Sequence, residues 1–203
     1  MARLLLFIKH RLPFVWLGID WLNTMLFRLL HGDRLRNESE QCFQEFTLDG
    51  YSFGALTQED LHGLSDLLHR QIEGRLDHFR PHGFDRKSLE RACRNPAFLM
   101  FGVFSGEQLV GYFFLRCFWN RKSFVGRLID EPHEGNGIGR VMNNILYNTA
   151  WRSGFRCYTT ISKSNPMVMR SHARNPSARI LKELPNDYLF VEFVESESQE
   201  SNK

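Results

Sequence analysis

The chain has little cysteine, and its four copies, Cys42, Cys93, Cys117 and Cys157, form no C-x-x-C pair. That spacing offers no zinc-ligand set and no disulfide framework, so no metal is expected and a reducing, cytoplasmic setting is. Long apolar runs are missing as well. A membrane-spanning helix needs about 20 mostly apolar residues, and the first 32 residues are cut by Lys9-His10-Arg11, by Pro13 and by Asp20. The run Leu4-Leu5-Leu6-Phe7-Ile8 is followed by no small-residue cleavage site, which argues against a secretory signal. Concentrated charge is lacking: a net charge of +3 with no basic stripe excludes nucleic acid as the expected partner. No internal repeat is present.

What the chain has in quantity is phenylalanine, 18 copies in 203 residues, many of them within 98–124. A base-stacking platform would need a basic groove beside such rings, and Arg116, Arg121 and Lys122 are too few, so the cluster reads as core. The length suits one domain with an appendage. The organisation expected is an amphipathic N-terminal segment at 1–32, a polar linker at 33–45, a folded domain at 46–194 and a disordered Ser/Glu-rich tail at 195–203.

Within the first segment, Phe14, Leu17, Gly18, Trp21, Leu22, Met25, Leu26 and Leu29 fall on one helical stripe. Asp20, Asn23, Thr24, Arg28 and His31 fall opposite, and Pro13 sits near the first turn. Two readings fit. The helix lies in a membrane interface, aided by Arg3, Lys9, Arg11, Arg28, Arg34 and Arg36, which would place the protein peripherally on the inner membrane. Or it packs on the domain or on a second copy in a homodimer.

Residues 46–56 predict a first strand interrupted by Asp49-Gly50. Thr57-Gln58-Glu59-Asp60 resembles a capping box with aspartate for glutamate, and Leu61, Leu64, Leu67 and Leu68 then share one helix face. His62 and His69 lie off that face and read as solvated. Residues 75–84 are irregular and dense in His, Arg and aromatics. Loops on a rigid scaffold often bind ligands, so His78, Arg80 and His82 are candidate substrate-binding residues. Asp85 is placed to cap a short helix reaching Arg94. Three strands follow, at 98–104, 109–119 and 123–130, joined by Ser105-Gly106-Glu107-Gln108 and Asn120-Arg121-Lys122.

The third strand runs into Glu134-Gly135-Asn136-Gly137-Ile138-Gly139-Arg140. Beyond it Ile138, Val141, Met142, Ile145, Leu146 and Ala150 recur at helical spacing, so the glycines occupy a strand-to-helix turn. Such a turn aims backbone N–H groups and a helix N-terminus at one point, which suits an anion such as a phosphate. A P-loop would end Gly-Lys-Ser/Thr, whereas Gly139 precedes Arg140-Val141. A dinucleotide fingerprint needs G-x-G-x-x-G and a carboxylate ending the next strand; the spacing here is G-x-G-x-G and the next strand, 157–162, holds Thr159-Thr160. Asn165-Pro166 then opens another helix through about residue 174, and 188–194 forms a final strand.

This order of elements, with Gly135, Gly137 and Gly139 in the turn and Asn165 after the fifth strand, resembles the GNAT (Gcn5-related N-acetyltransferase) superfamily. The resemblance covers roughly 46–194. It implies an α+β fold, layered α/β/α, whose mixed and mostly antiparallel sheet has splayed central strands, here with the N-terminal amphipathic helix added. It implies acetyl-CoA as cosubstrate, held by the backbone of Leu128, Ile129 and Asp130 along the pantetheine arm. Gly135, Asn136, Gly137, Ile138, Gly139 and Arg140 would hold the pyrophosphate, with Asn165 nearby. The family's loop opens with Arg or Gln where this chain has Glu134, a carboxylate that would repel phosphates if it faced them. Seven residues after Asn165 the family often has a Tyr that protonates the departing thiolate; here His172 occupies that place and can donate a proton near neutral pH.

The acceptor implied is a small-molecule amine, and Glu131 and His133 are the candidate bases. Phe79-Arg80-Pro81-His82 and Asn186-Asp187-Tyr188 are similar to stretches of bacterial acetyltransferase-like proteins found with surface-polysaccharide synthesis, which would make the acceptor an amino sugar or nucleotide sugar. The alternative is a non-catalytic acyl-CoA-binding or assembly module tethered through residues 1–32.

Overall fold

The computed structural model of the protein describes residues 13–72, 74–77, 79–173 and 175–195, with the backbone alone at 13–17, 166, 167, 171 and 172. The expected tail beyond residue 195, the first 12 residues and His78 lie outside the described residues. In chain order the elements are α1 (Pro13–His31), α2 (Arg34–Glu45), β1 (Ser52–Ala55), α3 (Leu61–His69), α4 (Arg86–Arg94), β2 (Phe98–Ser105), β3 (Gln108–Cys117) and β4 (Lys122–Ile129). A short 3-10 turn (Glu131–His133) leads into α5 (Ile138–Arg152), β5 (Arg156–Ser162), α6 (Pro166–Ala173), β6 (Ala178–Leu184) and β7 (Tyr188–Phe193).

Among the described residues the strands make one seven-stranded sheet in the order β1-β2-β3-β4-β5-β7-β6. Every neighbouring pair is antiparallel except β4 and β5, which run parallel. One face carries α3 and α4, whose Leu61, Leu64, Leu67, Leu68 and Leu89 pack with Met100, Tyr112 and Phe114. The other carries α5 together with α1 and α2, where Phe27, Leu35, Cys42, Met142 and Ile145 join Phe101, Phe113 and Phe193. The phenylalanine-rich strands therefore supply both cores, because alternate residues of a strand point to opposite faces. The result is the α+β, α/β/α-layered fold with a mixed, mostly antiparallel sheet.

Two expectations need correction, and one strand was not expected at all. The polar stretch 33–45 is a helix, not a linker: Leu35, Ser39 and Cys42 recur at helical spacing and are buried against the α5 layer. Its remaining residues, Phe43 apart, are charged or amide, and a stripe this narrow gives little hydrophobic signal. The first strand is shorter than 46–56, because Leu48 and Tyr51 bridge around Gly50, which holds a left-handed φ of 80°. The edge strand β6 lacks any alternation of burial, with Ile180 and Leu181 exposed, and so leaves no period-2 trace in the sequence.

The N-terminal helix forms, but it docks with its polar side inward. Phe27 is buried, and around it Asn23 Nδ2 donates to the Cys117 carbonyl at 3.2 Å while Asn23 Oδ1 accepts from Trp119 N–H at 3.1 Å. Thr24 donates to Asn95 Oδ1 at 3.1 Å, and Arg116 donates to Asp20 at 3.2 Å. The stripe of Trp21, Leu22, Met25 and Leu29 faces away from the domain. Among the described residues no helix is long and apolar enough to cross a membrane.

Candidate functional site

The parallel pair β4–β5 is registered over three steps only, Lys122 with Arg156, Ser123 with Cys157 and Phe124 with Tyr158. One step further Thr159 Oγ1 donates to the Val125 carbonyl at 3.1 Å, and from there the two strands part. Peptide groups of alternate residues point to opposite sides of a strand. Val125 O points toward β5, while Asp130 N–H bonds Val110 O on the β3 side. The peptide groups that face the opening are therefore those of Arg127 and Ile129. Leu128 and Asp130, expected to join Ile129 in holding a ligand through the backbone, turn their main chain to β3. The Leu128 side chain is buried in the α3/α4 core. The Asp130 carboxylate is buried too, accepting from Arg70 Nε at 2.6 Å and from Gln71 Nε2 at 2.9 Å.

At the mouth of this opening stands the glycine turn. Gly137 is the N-cap of α5 with φ of 87°, Gly135 has φ of 80°, and both angles are costly for any residue with a Cβ. Gly139 has an ordinary φ but a different need: a Cβ there would sit 2.7 Å from an Arg127 guanidinium nitrogen. Arg127 thus packs beneath the turn, and burial pulls its pKa below the usual arginine value. An arginine keeps its proton even so, so a half-buried cation lies under the N-terminus of α5. No side chain among the described residues caps that helix, and its first turn carries no acid. Ile138 is buried, leaving only its backbone N–H for a ligand. Helix dipole, N–H groups and guanidinium together favour an anion at this point.

A cleft of about 530 Å³ opens beside the turn, lined by Thr47, Leu48, Gly135, Asn136, Gly137, Arg140, Val141 and Asn144. Arg140 is exposed on its wall. Next to it, Asn136 Nδ2 donates to Tyr51 Oη at 3.3 Å, and Tyr51 Oη lies 3.2 Å from His133 Nδ1. Glu131, the other expected base, is exposed at the start of the 3-10 turn.

Glu134 is engaged away from the N–H groups of the glycine turn. Its carboxylate pairs with the Arg75 guanidinium, which is largely buried and also donates to the Ile129 carbonyl at 2.6 Å. Arg75 lies in the 75–84 stretch picked out from the sequence, yet it was not among the residues expected to act. Of those, Arg80 is a solvated surface group within 4.0 Å of Asp77. His82 is built into the domain: Nε2 lies 2.7 Å from Tyr112 Oη and Nδ1 donates to Gly83 O at 2.8 Å. Burial lowers its pKa below the usual histidine value. On the β5 side of the opening, Asn165 Oδ1 accepts from Val168 N–H at 3.1 Å and so caps α6. His172 lies in α6, and its side chain lies outside the described residues.

Sequence reasoning missed Arg70, Gln71, Arg75, Tyr51 and Arg127. Arg127 alone left a signal, as a charge in the middle of an apolar strand bound for the core.

A seven-stranded sheet with a splayed parallel pair and a glycine turn between β4 and the helix that follows defines the GNAT fold. Solved structures agree. The GNAT domain of PAT from S. lividans superposes with a TM-score of 0.60 at 12% identity, covering 70% of this chain and 88% of that one. The PaiA N-acetyltransferase from Thermoplasma acidophilum, solved in complex with coenzyme A, gives 0.59 at 14% identity over 71% of this chain and 99% of that one. The yncA protein of Salmonella typhimurium, solved with its cofactor acetyl-CoA, gives 0.58 at 16% identity over 73% and 96% respectively. Neither a family model nor a curated protein matches the sequence.

Proposed function

We propose that the chain is an acetyl-CoA-dependent N-acetyltransferase acting on a small-molecule amine. The observation that carries this reading is the splayed β4–β5 pair with an uncapped helix N-terminus and a half-buried arginine at its mouth. The fold's relatives support it, two of them having been solved with coenzyme A or acetyl-CoA. The residues fit that group. N–H groups of Gly135 to Gly139, the Arg140 side chain on the cleft wall and the Arg127 charge suit a pyrophosphate, the Arg127 peptide groups and the Ile129 N–H suit an extended amide arm, and the 530 Å³ cleft is of ligand size.

Acetyl-CoA supplies a thioester carbonyl, to which an amine adds directly. The chain's part is to hold both partners and to move a proton. His133 is the base assigned here. With Nδ1–H donating to Tyr51, which Asn136 also contacts, the Nε2 lone pair is left to take the ammonium proton. Glu131, exposed one turn away, is the competing base, and His172 in α6 is the candidate acid for the thiolate. The expected setting is cytoplasmic.

A second reading is favoured by one contact. Arg75 already occupies the Ile129 carbonyl, the acceptor best placed for a pantetheine amide. A binding module without turnover fits that arrangement.

Titration calorimetry with acetyl-CoA, followed by thiol release with a panel of amines, tests both. The panel should include amino sugars and nucleotide amino sugars for the polysaccharide reading. It should also include spermidine, the acceptor in the name of a relative at TM-score 0.56, and a peptide with N-terminal serine, named for another at 0.56. Binding with thiol release that falls at least tenfold in His133→Gln but not in Glu131→Gln is the expected result. Binding without release for any amine would favour the module, and no binding at millimolar cofactor would defeat the proposal.

A further inference from the structure

The N-terminal helix presents the domain with its polar residues and the solvent with its apolar ones. Asp20, Asn23, Thr24 and His31 face the C-terminal end of β3 and the turn before β2, where Trp119 N–H, the carbonyls of Cys117 and Trp119, and the side chains of Asn95 and Arg116 meet them. On the outer side Trp21 is 66% exposed, Leu29 75% and Leu30 60%, with Leu22 and Met25 between them. Burial of apolar groups drives folding, so a helix docked this way around keeps its apolar side for something else. Trp119, just past β3 and bonded to Asn23 through its backbone N–H, is a second exposed indole at 51%.

Charge decides what that something is. The acid of α1, Asp20, is turned inward and paired with Arg116. Arg28 is exposed on the flank of the apolar stripe; past one exposed acid, Asp33, Arg36 is exposed in the first turn of α2 beside Arg34, which also donates to the Arg152 carbonyl at 2.9 Å. The 12 residues that lead into α1 carry Arg3, Lys9 and Arg11, no acid, and the apolar run Leu4-Leu5-Leu6-Phe7-Ile8. A second copy would bring the same basic flank to a shared contact with no exposed acid on the helix to match it. An anionic bilayer complements both features: headgroups meet the arginines, acyl chains take the leucines, and indole rings favour the boundary between them.

We propose that α1 seats the protein on an anionic lipid surface, lying in the plane of the interface with Trp21, Leu22, Met25, Leu29 and Leu30 toward the acyl chains. This does not rest on the acetyltransferase reading, since no residue of the cofactor cleft takes part.

The test is cosedimentation of the full chain with vesicles of phosphatidylcholine alone and of phosphatidylcholine with phosphatidylglycerol. Binding to the anionic vesicles is expected to exceed binding to the neutral ones at least tenfold, to weaken in salt, and to fall at least tenfold in Leu22→Glu/Leu29→Glu. Both positions are exposed, and an unchanged thermal melt verifies that the variant folds. Quenching of wild-type tryptophan emission by brominated lipid is the variant-independent readout and is expected to be marked. Wild-type protein left in the supernatant, or equal binding by the variant, overturns the proposal. So does a dimer in sedimentation equilibrium that the variant dissociates without any vesicle binding, which would assign the face to a second copy.

Discussion

Glu134 stands in the loop that would have to tolerate phosphates, and its charge was legible as an obstacle. Its partner was not. Arg75 lies 59 residues away in an irregular loop, and pairing across that separation is a property of the fold. The pair turns the carboxylate from the N–H groups and offsets its charge. Arg75→Ala should therefore weaken acetyl-CoA binding about tenfold, or about 1.4 kcal/mol, by leaving Glu134 unpaired beside the turn. Arg75→Ala/Glu134→Gln should recover most of that loss, because the charge is gone with its partner. Calorimetry on the two variants decides it: a double variant as weak as the single one would mean that Arg75 contacts the ligand itself.

His82 was singled out as a substrate-binding residue, and its geometry assigns it a structural role. Neutral imidazole satisfies both neighbours, giving Nδ1–H to Gly83 O and accepting from the buried Tyr112 hydroxyl at Nε2. Burial depresses its folded pKa below the ordinary histidine value of about 6.5. The unfolded chain then binds the proton more readily than the native one, so stability is full above about pH 6.5 and falls as pH drops toward the depressed pKa. Urea melts at pH 7.5 and pH 5.5 should show that loss in the wild type and a smaller one in His82→Gln. Equal slopes in the two proteins would remove His82 as the cause. His82→Ala should cost about 1–3 kcal/mol at pH 7.5, since it leaves the Tyr112 hydroxyl buried without this partner.

At the scale of elements, strands and helices with a wide apolar face were legible, including α3, α4, α5 and the β2–β3–β4 meander, within a residue or two at most ends. The helices carry their period in the sequence because the domain buries one face of each, while β2 and β3, buried on both faces, read as near-continuous apolar runs. Two elements escaped for opposite reasons. In α2 three buried residues, one of them Ser39, are enough once Cys42 and Leu35 have α5 to pack on. In β6 the backbone ladder to β7 holds the strand while its side chains stay in water. The helix α1 was read correctly as amphipathic, yet periodicity gives the stripe and not the direction it faces. Hydrogen bonds of Asn23 and Thr24 with the end of β3 and the turn before β2 set that direction, and amphipathicity alone would have pointed the other way.

For the whole molecule, the opening between β4 and β5 lies between two separate cores, one under α3 and α4 and the other under α5, α1 and α2. Elements of both layers reach it: Arg75 from the loop after α3, and Gly137 and Gly139 from the start of α5. A ligand seated there would contact the two layers at once and stabilise the native chain as a unit. Acetyl-CoA at about 100 times its dissociation constant adds about 2.7 kcal/mol to unfolding, which for a chain of this size raises Tm by about 5–10 °C. Gly139→Val should lose most of that rise, because the new side chain must displace the Arg127 guanidinium that a Cβ would meet at 2.7 Å. Its ligand-free Tm separates this from simple misfolding, since the variant must first melt cooperatively for the comparison to count. A full rise in Gly139→Val would place the cofactor away from the glycine turn, and with it would go the reading of Arg127 and the α5 N-terminus as its anion site.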